Sequence, residues 1–143
     1  MKILVAIDLS EKSGIILEYA KKIAIKLNAA IWLVHVVDPD PEFIGYEVGP
    51  QVERDAIAER YRDKHRQLQE LGNNLRIDGL DVTALLLQGV ISNTILNQVE
   101  VLDIDFCVIG THGHGALYDM VVGSVSEDVI RSTKCPIYLV PIK

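Results

Sequence analysis

The sequence predicts an α/β fold: a single domain spanning 1–143, with a doubly wound, five-stranded parallel sheet at its centre. Three observations predict it. Five short apolar runs rich in branched residues alternate with four segments of helical period. The runs are apolar almost throughout, as strands covered on both faces are. The chain is long enough for one core and shows neither a linker nor an internal repeat. Alternation of this kind demands crossover connections, and so parallel strands with helices on both faces.

The first strand is Ile3–Ile7 (ILVAI). Ser10 is placed to cap the first helix, in which Ile15, Ile16, Tyr19, Ile23 and Leu27 recur at three- and four-residue spacing. Ile31–Val37 (IWLVHVV) is the second strand. The connection Asp38–Pro50 holds three prolines and two glycines and reads as an irregular loop, a lid or simply disordered. Gln51–Leu75 is the longest helix, with Val52, Ala56, Tyr61, Leu68, Leu71 and Leu75 along one stripe. Its opposite face, from Glu53 to Arg66, is densely charged and reads as solvated. Val82–Leu87 is the third strand and Ser92–Val101 the third helix. Phe106–Ile109 is the fourth strand. Ser124–Arg131 is the fourth helix, opened by Ser124-Val125-Ser126-Glu127 with capping-box spacing, and Ile137–Val140 is the last strand.

A formal charge of −6 argues against a general nucleic-acid binder, which carries a basic stripe. Apolar residues at 49% and charged ones at 24% are the balance of a soluble globular protein, and no run reaches the length a membrane helix needs. The opening Met1–Asp8 is too short and too acidic at its end for a signal peptide. Cys107 and Cys135 both sit in or beside apolar runs, which favours buried, reduced thiols and a cytoplasmic setting.

The chemistry concentrates in residues 110–126, GTHGHGALYDMVVGSVS, after the fourth strand. In a doubly wound sheet ligands bind outside the carboxyl ends of the strands, where the strand order reverses. With the first strand central, the loop beginning at Asp8 and the loop after Ile109 converge there. A Walker loop fails, because Ala116 and Leu117 stand where lysine and a hydroxyl belong. A dinucleotide fingerprint fails at Tyr118. His112 and His114 lack a third ligand at a telling distance, so no metal site is expected. What remains is a loop opened by Gly110 and Gly113 and closed by Gly123-Ser124 at a helix start. Backbone N–H groups and the helix dipole can cradle an anion there, with Ser124 and Ser126 adding hydroxyls, or the glycines can simply make turns.

Gly110-x2-Gly113-x9-Gly123-Ser124 resembles the G-x2-G-x9-G-[ST] motif of ATP-binding universal stress proteins. Lys2–Glu11 looks like that family's opening strand and turn, Val34–Asp38 its second strand, and Asp105–Gly110 with Cys135–Val140 its last two strands. The resemblance covers essentially the whole chain. It implies a Rossmann-like sheet of order 3-2-1-4-5 and an adenine nucleotide, ATP or AMP or ADP, with Mg²⁺ carried on it. On the family pattern Ala6, Asp8 and Val36 line the adenine and ribose end. Ile109, Gly110, His112 and Gly113 contact ribose and phosphates, and Gly123, Ser124, Val125 and Ser126 complete the cradle. It also implies a homodimer paired through Ile137–Val140, which would cover an apolar strand edge.

The sequence departs from the pattern in two places. No Lys or Arg occurs from Ile77 through Ile130, where relatives commonly place basic residues, so weaker phosphate binding or a preference for AMP or ADP is expected. Leu9 stands where a glycine often follows the aspartate. The expected function is an adenine-nucleotide-binding stress regulator with slow or no hydrolysis. The alternative is a stress protein that binds no nucleotide and works through its dimer or partner surface. Related hydrolase and adenylating enzymes carry SGG-x-DS or H-x-G-H after strand one. Here Asp8-Leu9-Ser10-Glu11-Lys12-Ser13 is neither, and no nucleophile–base pair is evident.

Overall fold

Near-continuous branched apolar runs cannot leave either face wet, and the chain covers both. The computed structural model describes residues 1–37, 51–111 and 124–142. In chain order the elements are β1 (Lys2–Ala6), α1 (Ser13–Leu27), β2 (Ala30–Val37), α2 (Gln51–Ile77), β3 (Val82–Gln88), α3 (Ile91–Val101), β4 (Phe106–Gly110), α4 (Ser124–Ser132) and β5 (Ile137–Val140). All pairings are parallel, in the order β3-β2-β1-β4-β5. The sequence-predicted strand order and fold class are those observed.

Side chains alternate between two cores, one on each face of the sheet. Ile3 and Val5 of β1, Ile31 and Leu33 of β2, and Val108 of β4 pack against Ile16, Leu17, Ala20 and Ala24 of α1 and Leu68 and Leu75 of α2. Leu4, Val34, Val36, Cys107 and Ile109 pack on the other face with Ile95 and Val99 of α3 and Val129 of α4. Among the described residues no helix is long and apolar enough to cross a membrane.

Several local expectations are corrected. Ser10 does not cap α1: the cap position is Lys12, with no side-chain hydrogen bond. Instead the Ser10 N–H donates to Asp8 Oδ1 at 2.9 Å, and its carbonyl accepts from the Ser13 N–H at 3.0 Å, so an aspartate turn precedes the helix. The buried stripe of α1 is Ile16, Leu17, Ala20 and Ala24, whereas Ile15, Tyr19 and Leu27 are exposed. Small alanines let the helix sit close to the sheet, and a stripe chosen by residue size alone misses them. Among the described side chains of α2 the first buried one is Leu68; Ala56 is exposed, and the Val52 side chain lies outside the described residues. Tyr61 is exposed and reaches the sheet only through its hydroxyl, which donates to the Leu86 carbonyl at 3.3 Å. At the start of α4 the serine expected as cap is already inside the helix. Ser124 is the first helical residue, and Glu127 is taken by Arg131 one turn on, at 2.6 Å. The expected lid at 38–50 lies outside the described residues.

Candidate functional site at the switch point

The chain leaves β1 towards β2 on one side and returns from β3 to β4 on the other, so the strand order reverses between β1 and β4. Their register pairs Val5 with Val108, which puts Ala6 and Ile109 each one residue further, at the carboxyl ends of the two central strands. Val36 stands next to last in β2, and Gly110 ends β4. Ala6, Val36 and Ile109 all turn their side chains into the α3/α4 core, together with Val125 of α4. Val36 and Ile109 are buried there, so what they offer a ligand in the crevice is backbone.

The fourth helix is tied to this edge. Ser126 Oγ donates to the Gly110 carbonyl at 2.6 Å, across 16 residues of sequence, and Ser126 is 8% exposed. That bond holds the first turn of α4, with its unpaired N–H groups and positive dipole end, at the end of β4. It also occupies the one proton of the Ser126 hydroxyl, so towards an anion Ser126 offers its main-chain N–H. Ser124 is exposed at the helix start. His112, Gly113 and Gly123 lie outside the described residues.

On the other side of the switch point Asp8 Oδ1 accepts from the Ser10 N–H and from Ser13 Oγ, the latter at 3.2 Å. These bonds fix the carboxylate at the entry to α1. The turn bends through Leu9, whose φ is +62°. That left-handed region is easy for glycine and unfavourable for leucine. Leu9 packs against the α1/α2 core, and this burial opposes the strain. The departure noted in the sequence therefore has a backbone consequence.

Gly110 is a glycine for a reason the sequence does not show. A Cβ there would stand 3.0 Å from Ile142 Cγ1 and 3.0 Å from Ile16 Cδ1, tighter than ordinary packing. The side chains filling that space belong to α1 and to the segment after β5, so a side chain at this position would press on the α1/α2 core.

His35 escaped the sequence reading. It is 7% exposed, and its Nδ1 lies 2.8 Å from the Ile7 carbonyl, which fixes the tautomer with the proton on Nδ1. Its buried Nε2 has no hydrogen-bond partner among the described residues. Burial pushes its pKa below the usual 6.5, and the Lys64 charge adds to this; the Ile7 hydrogen bond and the Asp8 charge oppose it. The ring is thus a neutral clamp from β2 onto the residue just before Asp8. The only signal was a polar residue in an otherwise apolar strand run. Among the described residues no group of three or more His, Cys, Asp or Glu could hold a metal ion.

Comparison with known proteins bears on the whole of this architecture. The model of the universal stress protein family matches residues 1–141. Universal stress protein A homolog 1 of Coxiella burnetii is 29% identical over 141 residues, covering 99% of this chain and 96% of that protein. The solved structure of MJ0577, a universal stress protein of Methanocaldococcus jannaschii, superposes with a TM-score of 0.85 at 25% identity, covering 99% of this chain and 96% of that one. The universal stress protein of Archaeoglobus fulgidus in complex with dAMP superposes with a TM-score of 0.67 at 23% identity, covering 100% of this chain and 98% of that one. Sequence, strand order and structural likeness agree from one end of the chain to the other: it belongs to the universal stress protein family.

Proposed function

We propose that this chain is a stress-response regulator that binds an adenine nucleotide at the β1/β4 switch point, as a homodimer, with hydrolysis slow or absent. The observation that carries the reading is the Ser126–Gly110 hydrogen bond, which sets the N-terminal turn of a nine-residue helix against the end of a central strand. Such a turn attracts phosphate through its unpaired N–H groups. The dAMP complex of the Archaeoglobus protein supplies the ligand class by analogy, since at 23% identity that likeness concerns the fold.

In this reading Asp8 accepts hydrogen bonds from the ribose hydroxyls, and Ala6, Val36 and Ile109 shape the adenine and ribose end with their backbone. Gly110, His112 and Gly113 approach the phosphates from β4, while Gly123, Ser124, Val125 and Ser126 present N–H groups and the Ser124 hydroxyl. No Lys or Arg stands between Ile77 and Ile130, so backbone dipoles carry most of the neutralisation, with Mg²⁺ arriving on the nucleotide. A monophosphate or diphosphate suits this set better than a triphosphate, which carries more charge. No side chain is assigned a catalytic role.

The homodimer rests on the sheet edge. β5 is the outermost strand, and Tyr138 is 42% exposed on it, beside Tyr19 of α1 with ring centroids 6.5 Å apart. An unpaired edge with apolar side chains is a pairing template. That same patch favours the second reading, in which the protein binds no nucleotide and acts through this surface.

One experiment separates the readings. Purified protein is heated to release bound ligand, the supernatant is chromatographed for adenine nucleotides, and the melting midpoint is measured with AMP, ADP and ATP–Mg²⁺ at millimolar concentration. Released nucleotide or an upward shift supports the first reading. An empty supernatant with no shift for any nucleotide removes it. Sedimentation of the same sample tests the dimer.

A further inference from the structure

Outside the proposed nucleotide site, the chain's two cysteines form a feature that binding does not use. Cys107 lies in β4, fully buried, and Cys135 is half-buried in the turn between α4 and β5. Both thiols are free, and their Sγ atoms stand 3.6 Å apart although 28 residues separate them in sequence. Both turn into the α3/α4 core, and the Cys107 N–H donates to the Pro136 carbonyl at 3.0 Å, which locks the two backbones side by side. The Thr133 hydroxyl lies 3.4 Å from Cys135 Sγ and accepts from the Cys135 N–H at 3.2 Å. A disulfide needs its sulfurs at about 2.05 Å, so closure brings the two sulfurs together from 3.6 Å.

We propose that Cys107 and Cys135 are a peroxide-oxidisable dithiol that closes reversibly into an intramolecular disulfide. Cys135 is the half-buried member and the one solvent reaches, so it is the attacking thiol. Its sulfur attacks the terminal oxygen of a hydroperoxide ROOH, the O–O bond breaks, and the departing RO⁻ takes the thiol proton, giving Cys135 sulfenic acid and ROH. The Cys107 sulfur then attacks the sulfenic sulfur, and the Cys107 proton leaves with the sulfenic hydroxyl as water. In sum, two thiols and ROOH give one disulfide, ROH and H₂O; the cysteines are oxidised by two electrons and the peroxide is reduced. A dithiol reductant reverses it by exchange. Burial, and then the neighbouring Cys135, hold the Cys107 thiol up and protonated, so Cys107 is not the thiol that reacts first with peroxide.

The bond would clamp the two ends of the segment that contains residues 110–124. Oxidation thus joins β4 covalently to the turn that leads out of α4, with the glycine-rich stretch inside the closed loop. A reducing interior keeps such a pair open, and an oxidant pulse closes it.

Reduced protein is exposed to hydrogen peroxide, quenched with an alkylating agent under denaturing conditions, and read by intact mass and peptide mapping. Expected for the wild type is a loss of two hydrogens, no alkylation at either cysteine, and one linked peptide pair that a dithiol reductant separates. In Cys107→Ala, Cys135 instead traps a sulfenic-acid probe and proceeds to higher oxides. In Cys135→Ser, Cys107 stays alkylatable at the same peroxide dose. Circular dichroism confirms that both variants are folded. The proposal is overturned if wild-type Cys135 gains oxygens while Cys107 remains alkylatable, if the only disulfide joins two chains, or if both thiols survive the dose.

Discussion

Ser126 Oγ and the Gly110 carbonyl, 2.6 Å apart, join the first turn of α4 to the last residue of β4. The serine is buried and its proton is committed, whereas Ser124, two residues earlier, is exposed. Neighbouring serines of one motif therefore have different tasks. Ser126→Ala should cost about 1–3 kcal/mol of stability, the penalty for a buried acceptor left unmet, and change nucleotide affinity little because the N–H remains. Ser124→Ala should leave stability intact and weaken binding about tenfold, the worth of one hydrogen bond to a charged group. Denaturant unfolding and calorimetric titration read the two effects. The reverse pattern would show that the hydroxyls are assigned the wrong way round.

Asp8 shapes the turn into α1 and, as proposed, also holds the ribose. Asp8→Asn keeps the Oδ1 acceptor for Ser10 and Ser13 but removes the charge, so the fold should persist while affinity falls by roughly 1–3 kcal/mol. Asp8→Ala should lose both the turn and the affinity. Equal dissociation constants for wild type and Asp8→Asn would remove the carboxylate's charge from the site.

Leu9, at φ +62°, inverts the usual cost of a glycine. Truncation to alanine loses the packing and keeps the strain; truncation to glycine loses the packing and relieves it. Leu9→Gly should be more stable than Leu9→Ala by about 1 kcal/mol, measured from urea midpoints. If alanine is the more stable, the turn is not left-handed in solution.

His35 predicts a pH dependence. Its folded-state pKa lies below the ordinary 6.5, so below that pH the unfolded chain binds the proton more readily. The contribution of the neutral ring to stability is complete above pH 6.5, falls as the pH drops below it, and levels off once the pH is under the folded-state pKa. His35→Asn, which keeps a donor for the Ile7 carbonyl, should flatten unfolding free energy against pH in that window. Parallel curves for wild type and variant would mean that His35 titrates alike in both states.

Two kinds of glycine should separate by substitution. Gly110→Ala pushes a methyl against Ile142 and Ile16, costing about 1–3 kcal/mol of stability and leaving binding by the folded protein nearly unchanged. Gly113→Val and Gly123→Val should leave the fold in place and abolish nucleotide binding, because their side chains would enter the anion's space. Binding that survives in both would place the cradle elsewhere.

The sheet was legible because branched apolar runs leave a strong signature, and because parallel pairing follows from the alternation of elements. Helix faces were read less well. Ile16 and Ile23 of the expected stripe do pack, but Leu17, Ala20 and Ala24 share the contact of α1 with them while Ile15 and Tyr19 stay outside, since small side chains on a packed face give little hydropathy signal. The cap of α1 misled for a different reason: Ser10 had the right spacing, but the Asp8 turn takes its N–H and the helix starts after Lys12. The apolar runs, ended at Ile7, Val37 and Ile109, came within one residue of the observed strand ends Ala6, Val37 and Gly110, whereas Ala6, Val36 and Ile109 were singled out by the family resemblance. The packing around Gly110 was not legible, because it comes from Ile16 and Ile142, both distant from it in sequence.

β1 sits mid-sheet, yet it comes first in chain order among the five strands. Its second edge is closed by β4, and the Lys2 N–H meets Asp105 Oδ2 across 103 residues. At about 5–20 residues per second on the ribosome, that edge stays bare for roughly 5–20 seconds. A nascent chain stalled before Phe106 would present Ile3, Leu4 and Val5 with no neighbour on one side, ready to pair with another copy. Truncations ending between β3 and β4 should accordingly collect in inclusion bodies, whereas chains carried through β4 should stay in the soluble fraction.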